Sequence, residues 1–196
     1  MLAPFPAKEK ENLLVYASRL DDQKNPMMLL KAIKLVIEKE NKLVKGWKFL
    51  MCGNGPLRSK VTDYINENDL NQIIQYESEI NDMSIYFNKS KCFISTQNYE
   101  NFTSLAMNEA LASGNAIISR NVGQTYLYVK DGLNGYLLEK DNVPSLARTI
   151  IKYLRNERFH NNLQEASYEL SVNKHNFSNF INELELFWSK VLEFEN

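Results

Sequence analysis

Cysteine and histidine are the scarcest reactive residues in this chain of 196 residues, with two of each. Cys52 and Cys92 both lie inside apolar runs. They read as small buried hydrophobes in a reducing compartment, not as a disulfide or a metal pair. His160 and His175 stand in a polar stretch with no cysteine nearby, which argues against a zinc site. Net charge is nearly missing too, with 23 Lys and Arg against 24 Asp and Glu. A dedicated nucleic-acid binder would show a basic field. No run reaches the roughly eighteen apolar residues that span a bilayer, and the N-terminus lacks the apolar core of a signal peptide. These absences set the expectation of a soluble, cytoplasmic protein with no metal and no nucleic-acid partner.

What is present is an ordinary globular composition in a length that suits one domain. Residues 1–12 carry prolines and charges without periodicity and read as a linker. Apolar runs then alternate with helical patterns. Strands are expected at Leu13–Ala17, Trp47–Cys52, Ile73–Tyr76, Cys92–Ser95, Ala116–Ser119 and Gly135–Leu138. Helices are expected at Pro26–Glu40, from Leu57 through Ile65, at Met83–Lys89, Phe102–Ser113 and Pro144–Leu154. Short unbroken apolar strands between helices imply an α/β fold: a Rossmann-like, doubly wound parallel sheet covered on both faces. The unit is expected over residues 13–172, with residues 173–196 forming a separate amphipathic helix. There Phe180, Leu184, Phe187, Trp188 and Val191 recur at helical spacing.

In such a sheet, ligands bind at the carboxyl ends of the strands, so the residues just after each apolar run are the informative ones. The first such stretch is "SRLDDQKNP" at Ser18–Pro26. Arg19 and Lys24 have two readings there. They are a solvated pair offset by Asp21 and Asp22, worth little. Alternatively they clamp a diphosphate at a helix N-terminus. In "YENFTSLAMNEALASG", Thr103 or Ser104 suits an N-cap, and Glu109 is a carboxylate on an otherwise apolar helix. Gly53-Asn54-Gly55-Pro56 reads most simply as a strand-to-helix turn. It lacks the lysine of a P-loop and the third glycine of a dinucleotide fingerprint.

The order of "SRLDDQKNP", "MCGNGP", "ENFTSLAMNEALASG", "NAIISRNVGQ" and "DGLNGYLL" resembles the C-terminal, donor-binding half of family 4 retaining glycosyltransferases of the GT-B fold. The resemblance runs from about Leu13 to Leu154 and implies one half of a GT-B fold. It implies that Arg19 and Lys24 hold the donor diphosphate and that Glu109 binds the ribose. It places Glu100, Asn101, Phe102, Thr103, Ser104 and Leu105 around the donor sugar and phosphate, with Gly53 among the binding residues. Glu100 joins Arg19 and Lys24 as a catalytic candidate, although the family's spacing would select Asn101 for the donor-sugar role. No metal and no cofactor are implied. The implied partners are a UDP-, GDP- or ADP-linked sugar and a sugar or glycolipid acceptor, the latter through an N-terminal domain that this chain lacks. Peripheral membrane association of the longer enzyme and a weak homodimer complete the expectations.

The sequence also departs from the family pattern. Ser18 and Asn25 replace glycines beside the first motif's arginine and lysine. Gln124 replaces another glycine, and Leu127 a glutamate. Two other readings remain: half of a sugar-nucleotide 2-epimerase, and a non-catalytic module that docks a protein through its last helix.

Overall fold

The computed structural model describes residues 10–99, 104–174 and 177–194. The first half of the sheet comes from β1 (Glu11–Ala17), β2 (Lys48–Cys52) and β3 (Ile74–Glu77), linked by α1 (Pro26–Glu40) and α2 (Arg58–Glu67). A short α3 (Ser84–Lys89) leads to the second half: β4 (Ser90–Ser95), β5 (Ala116–Ser119) and β6 (Gly135–Leu137). Between and after these strands come α4 (Leu105–Ala112), α5 (Thr125–Tyr128), α6 (Val143–Arg155), α7 (His160–Lys174) and α8 (Phe177–Phe194). All neighbouring strands are parallel and lie in the order β3-β2-β1-β4-β5-β6. This is the doubly wound order, and its topological switch point lies between β1 and β4.

The period-two rule of strands divides the core cleanly. Leu14 and Tyr16 of β1 point to one face, where they join Phe49, Met51 and Ile94 under helices α1, α2 and α6. Val15 and Ala17 point to the other face, with Leu50, Phe93 and Ile117 under α3 and α4. Both cysteines are buried and free, as their apolar settings suggested. α1 begins at Pro26, whose missing N–H costs nothing at that position, and the Asn25 side chain accepts from the Met28 amide at 3.3 Å. The α1 and β5 boundaries coincide with those read from the sequence.

The four-residue α5 was not anticipated, and several boundaries shift by a residue or two. Three further differences are more informative. β1 begins at Glu11, inside the stretch read as a linker, because Lys10 and the residues after it are anchored. The Lys10 side chain is buried, and its ammonium donates to the carbonyls of Phe87, Ser90 and Ser113 at 2.8–3.0 Å. α7 was not anticipated at all. Its buried face is Leu163, Gln164, Ser167 and Ser171, so a mostly polar surface meets the core. His160, read as part of a polar stretch, is buried: its ring stacks on Tyr153, centroids 4.1 Å apart, and Nε2 lies 2.9 Å from the Tyr153 carbonyl. Burial holds its pKa below the ordinary histidine value. His175 lies outside the described residues.

The third difference concerns extent: α8 runs from Phe177 to Phe194, within the 173–196 helix read from the sequence, while α7 continues to Lys174. Phe180, Leu184, Phe187 and Trp188 of its apolar stripe are exposed, and Leu186 and Leu192 are exposed as well. Among the described residues, no helix is long and apolar enough to cross a membrane.

Candidate functional site at the carboxyl ends of β1 and β4

Beyond Ala17 the chain turns through Ser18–Asn25 before α1 begins, and the shape of that loop is set by the glycine turn after β2. A Cβ on Gly53 would fall 1.8 Å from the Ser18 carbonyl oxygen, and one on Gly55 would fall 2.5 Å from that of Leu20. Both glycines also have positive φ, which L side chains rarely adopt. Their bareness lets the two loops touch through main chain alone. The Leu20 amide donates to the Asn54 carbonyl at 2.8 Å, and the Leu57 amide to the Leu20 carbonyl at 2.9 Å. Gly53 therefore buttresses the arginine loop from behind.

Within the loop, Asp21 is the organiser. Its buried carboxylate accepts from Arg19 Nε at 2.6 Å and from the Lys24 amide at 2.9 Å. Burial alone would raise its pKa; the amide bond and the Arg19 and Lys24 charges outweigh this and hold it below the usual carboxylate value. The Arg19 side chain keeps 72% exposure, so its guanidinium is held at one edge and open on the other. Asn25 adopts the left-handed conformation at φ 49°. Asparagine tolerates that region better than most residues, which explains why it can stand where the family pattern has glycine.

Lys24 is fixed at both ends. Its carbonyl accepts from the Tyr16 hydroxyl at 3.1 Å and from the Thr96 hydroxyl at 2.8 Å, and its ammonium donates to Gln97 Oε1 at 3.1 Å. Burial lowers its pKa first, the Arg19 charge adds to that, and Asp21 opposes both. Tyr16 is pushed up to about 12 by burial, so it is a neutral donor throughout the working range.

The opposite wall comes from β4 and α4. Ser104 is the N-cap of α4, its hydroxyl accepting from the Met107 amide at 3.3 Å. Arg19, Lys24, Gln97, Ser104, Leu105 and Ala106 line a common cavity of about 240 Å3 at the switch point. The first-turn amides of a helix have no partner within it, so a helix start at this rim favours an anion. Of the residues expected from sequence, the structure brings Arg19, Lys24, Ser104 and Leu105 together. Glu109 is exposed one turn beyond Leu105, on the same stripe of the helix. Glu100, Asn101, Phe102 and Thr103 lie outside the described residues. Gln97 falls among the residues that the end of an apolar run marks as informative, but no role was assigned to it, and Thr96 was not singled out.

Comparison with known proteins bears on the family and the fold. The model of the family "Glycosyl transferases group 1" matches residues 2–170. A poly(glycerol-phosphate) alpha-glucosyltransferase of Bacillus subtilis is 28% identical over 169 residues, covering 85% of this chain and 24% of that protein. A poly(ribitol-phosphate) alpha-N-acetylglucosaminyltransferase of Staphylococcus aureus is 24% identical, covering 76% of this chain and 29% of that protein. The chain thus spans less than a third of the length of these two relatives. Among solved structures, a mutant of S. aureus TarM in complex with Fondaparinux, alpha-GlcNAc-glycerol and UDP superposes with a TM-score of 0.81 at 22% identity. That match covers 95% of this chain and 38% of the other. Anabaena HepE in complex with UDP and glucose superposes with a TM-score of 0.79 at 13% identity, covering 92% and 49%. The sheet is the α/β Rossmann-like fold of GT-B glycosyltransferase structures, as the sequence resemblance implied. The chain belongs to the glycosyl transferases group 1 family.

Proposed function

We propose that this chain is the donor-binding part of a retaining glycosyltransferase, and that it holds a nucleoside diphosphate sugar in the cleft between β1 and β4. The observation that carries this reading is the convergence of Arg19 and Lys24 on one cavity with the start of α4. Two cations of different character meet there. Arg19 offers a fork already oriented by Asp21, and Lys24 a point charge oriented by Gln97. Cleaving the bond from the anomeric carbon leaves a nucleoside diphosphate, whose negative charge grows as the bond breaks. Fixed positive groups aimed at that position stabilise the transition state more than the ground state.

In this reading Glu109 accepts hydrogen bonds from the ribose, and the sugar meets the loop containing Glu100 and Asn101. Gly53 acts through the Ser18 main chain. The acceptor, a sugar or a glycolipid, is presented by a part of the enzyme outside these residues. UDP is the first donor base to test, because two structural neighbours were solved with UDP. The α8 stripe is assigned to contact with the rest of the enzyme, and in the isolated chain to weak self-association.

Calorimetric titration of the chain with UDP, GDP and ADP tests the proposal. Saturable binding of one of them, competed by its nucleotide sugar, is the expected result. Binding of none would leave the chain as an interaction module that docks through α8.

A further inference from the structure

We propose that Arg120 and Gln97 are positioning residues for Lys24, so that the grip on the diphosphate is set from β5 as well as from the first loop. The inference rests on the donor-binding reading. Arg120 follows β5, and its guanidinium is almost wholly buried, with 9% side-chain exposure. It reaches three acceptors on two neighbouring segments. Nε donates to Asp141 at 3.0 Å, while Nη1 donates to the Gln97 carbonyl at 3.2 Å and to the Asn98 side-chain oxygen.

Two of the three residues it bonds, Gln97 and Asn98, in turn hold the lysine loop. Gln97 is buried, and its side-chain oxygen accepts from Lys24 Nζ at 3.1 Å. Asn98 receives the Asn25 side-chain amide at 2.9 Å, and its own amide donates to the Gln23 carbonyl at 2.7 Å. A continuous chain of hydrogen bonds therefore runs from Asp141 through Arg120 to the ammonium that faces the cavity. A lysine tip has four rotatable bonds and finds no fixed position by itself. The bond to Gln97 restricts it, and Arg120 fixes the backbone from which Gln97 projects. The side-chain amide oxygen of Gln97 is neutral, so it orients the ammonium without cancelling its charge. A carboxylate in that place would do so. Lysine cannot replace Arg120, because an ammonium lacks the planar fork that reaches Asp141 and the Gln97 carbonyl together.

The test is a double-mutant cycle read by UDP binding, with uridine as the control that carries no phosphate. Arg120→Met and Gln97→Met are each made alone and in a Lys24→Ala background. UDP affinity is expected to fall about tenfold in either single variant, the scale of one weakened charge-assisted hydrogen bond, while uridine affinity is unchanged. In the Lys24→Ala background neither substitution costs anything further, because the group being positioned is gone. Gln97→Glu should weaken UDP more than Gln97→Met does. Should Arg120→Met fail to fold, the Gln97 variants carry the test, since that side chain bonds to the lysine. Three results overturn the inference while leaving donor binding intact: unchanged UDP affinity in the single variants, an equal loss with and without Lys24, or an equal loss for uridine. If the unmodified chain binds none of UDP, GDP and ADP, the donor-binding reading fails, and the inference fails with it.

Discussion

The α-carbon of Gly53 packs against the Ser18 carbonyl so closely that a methyl group there would fall 1.8 Å from the oxygen. The turn after β2 thereby fixes the loop that presents Arg19, although the two are more than thirty residues apart in sequence. Gly53→Ala must move main chain and also strain a backbone at φ 146°. We expect a loss of about 3 kcal/mol or more in denaturant unfolding. Nucleotide binding should fall even in whatever fraction folds. A variant as stable as the parent would show that the contact can relax.

The second prediction concerns pH. Burial and Arg19 hold the pKa of Lys24 below 10.5 in the free protein, and a bound diphosphate would raise it. The ligand prefers the protonated form, so affinity is full on the acid side and falls as pH rises through the free-state value. Titrations across the alkaline range should show this fall beginning earlier than for an ordinary lysine. Lys24→Arg should flatten it, because arginine stays charged. A parent profile as flat as that of the variant would remove Lys24 from the phosphate site.

Much of this arrangement was legible in the sequence, and the remainder was hidden for identifiable reasons. Pro26 marked the start of α1, and the apolar run Ala116-Ile117-Ile118 between Asn115 and Ser119 marked β5. α7 escaped because hydrophobic periodicity cannot report a helix whose buried positions include Gln164, Ser167 and Ser171. Its packing is made by hydrogen bonds such as Ser167 to the Asn134 carbonyl at 3.1 Å. At the site, the charged residues were visible because strand ends name them. Gln97 stands at a strand end as well, but its supporting role was not legible, since it meets Lys24 only once β4 lies beside β1. Gly53 was read as a turn residue and is one; what it is bare for is a contact across the sheet.

Lys10 supplies a stability test away from the site. Burial lowers its pKa to about 8 from 10.5, so between those values the unfolded chain binds more protons than the folded one. Stability must therefore rise with pH across that window, by up to roughly 3 kcal/mol. Tyr16 acts oppositely above its unfolded value of 10.0, because its folded pKa is about 12. The difference between the parent and Lys10→Met isolates the lysine. That difference should move in the parent's favour from pH 8 upward. A difference independent of pH would mean that water reaches the ammonium.

Removing residues 175–196 tests the assignment of α8. Its exposed Phe187 and Trp188 rings stack edge to face with centroids 5.6 Å apart, forming an aromatic patch with Phe180 and Leu184 beside it on the stripe. The truncated chain should keep its melting temperature within a few degrees and its nucleotide affinity, while any self-association in sedimentation velocity declines. Unfolding on truncation would place α8 in the core of this domain.

The most direct test of donor binding is UDP titration of the parent chain beside Arg19→Ala and Lys24→Ala. Each substitution removes an exposed or half-buried cation that faces the cavity, so the fold should survive. If both cations grip the diphosphate, each variant loses about 1.5–3 kcal/mol of UDP binding with little change in melting temperature. UDP affinity equal to the parent's in both variants would contradict the proposal and return Arg19 and Lys24 to the role of a surface charge pair beside Asp21.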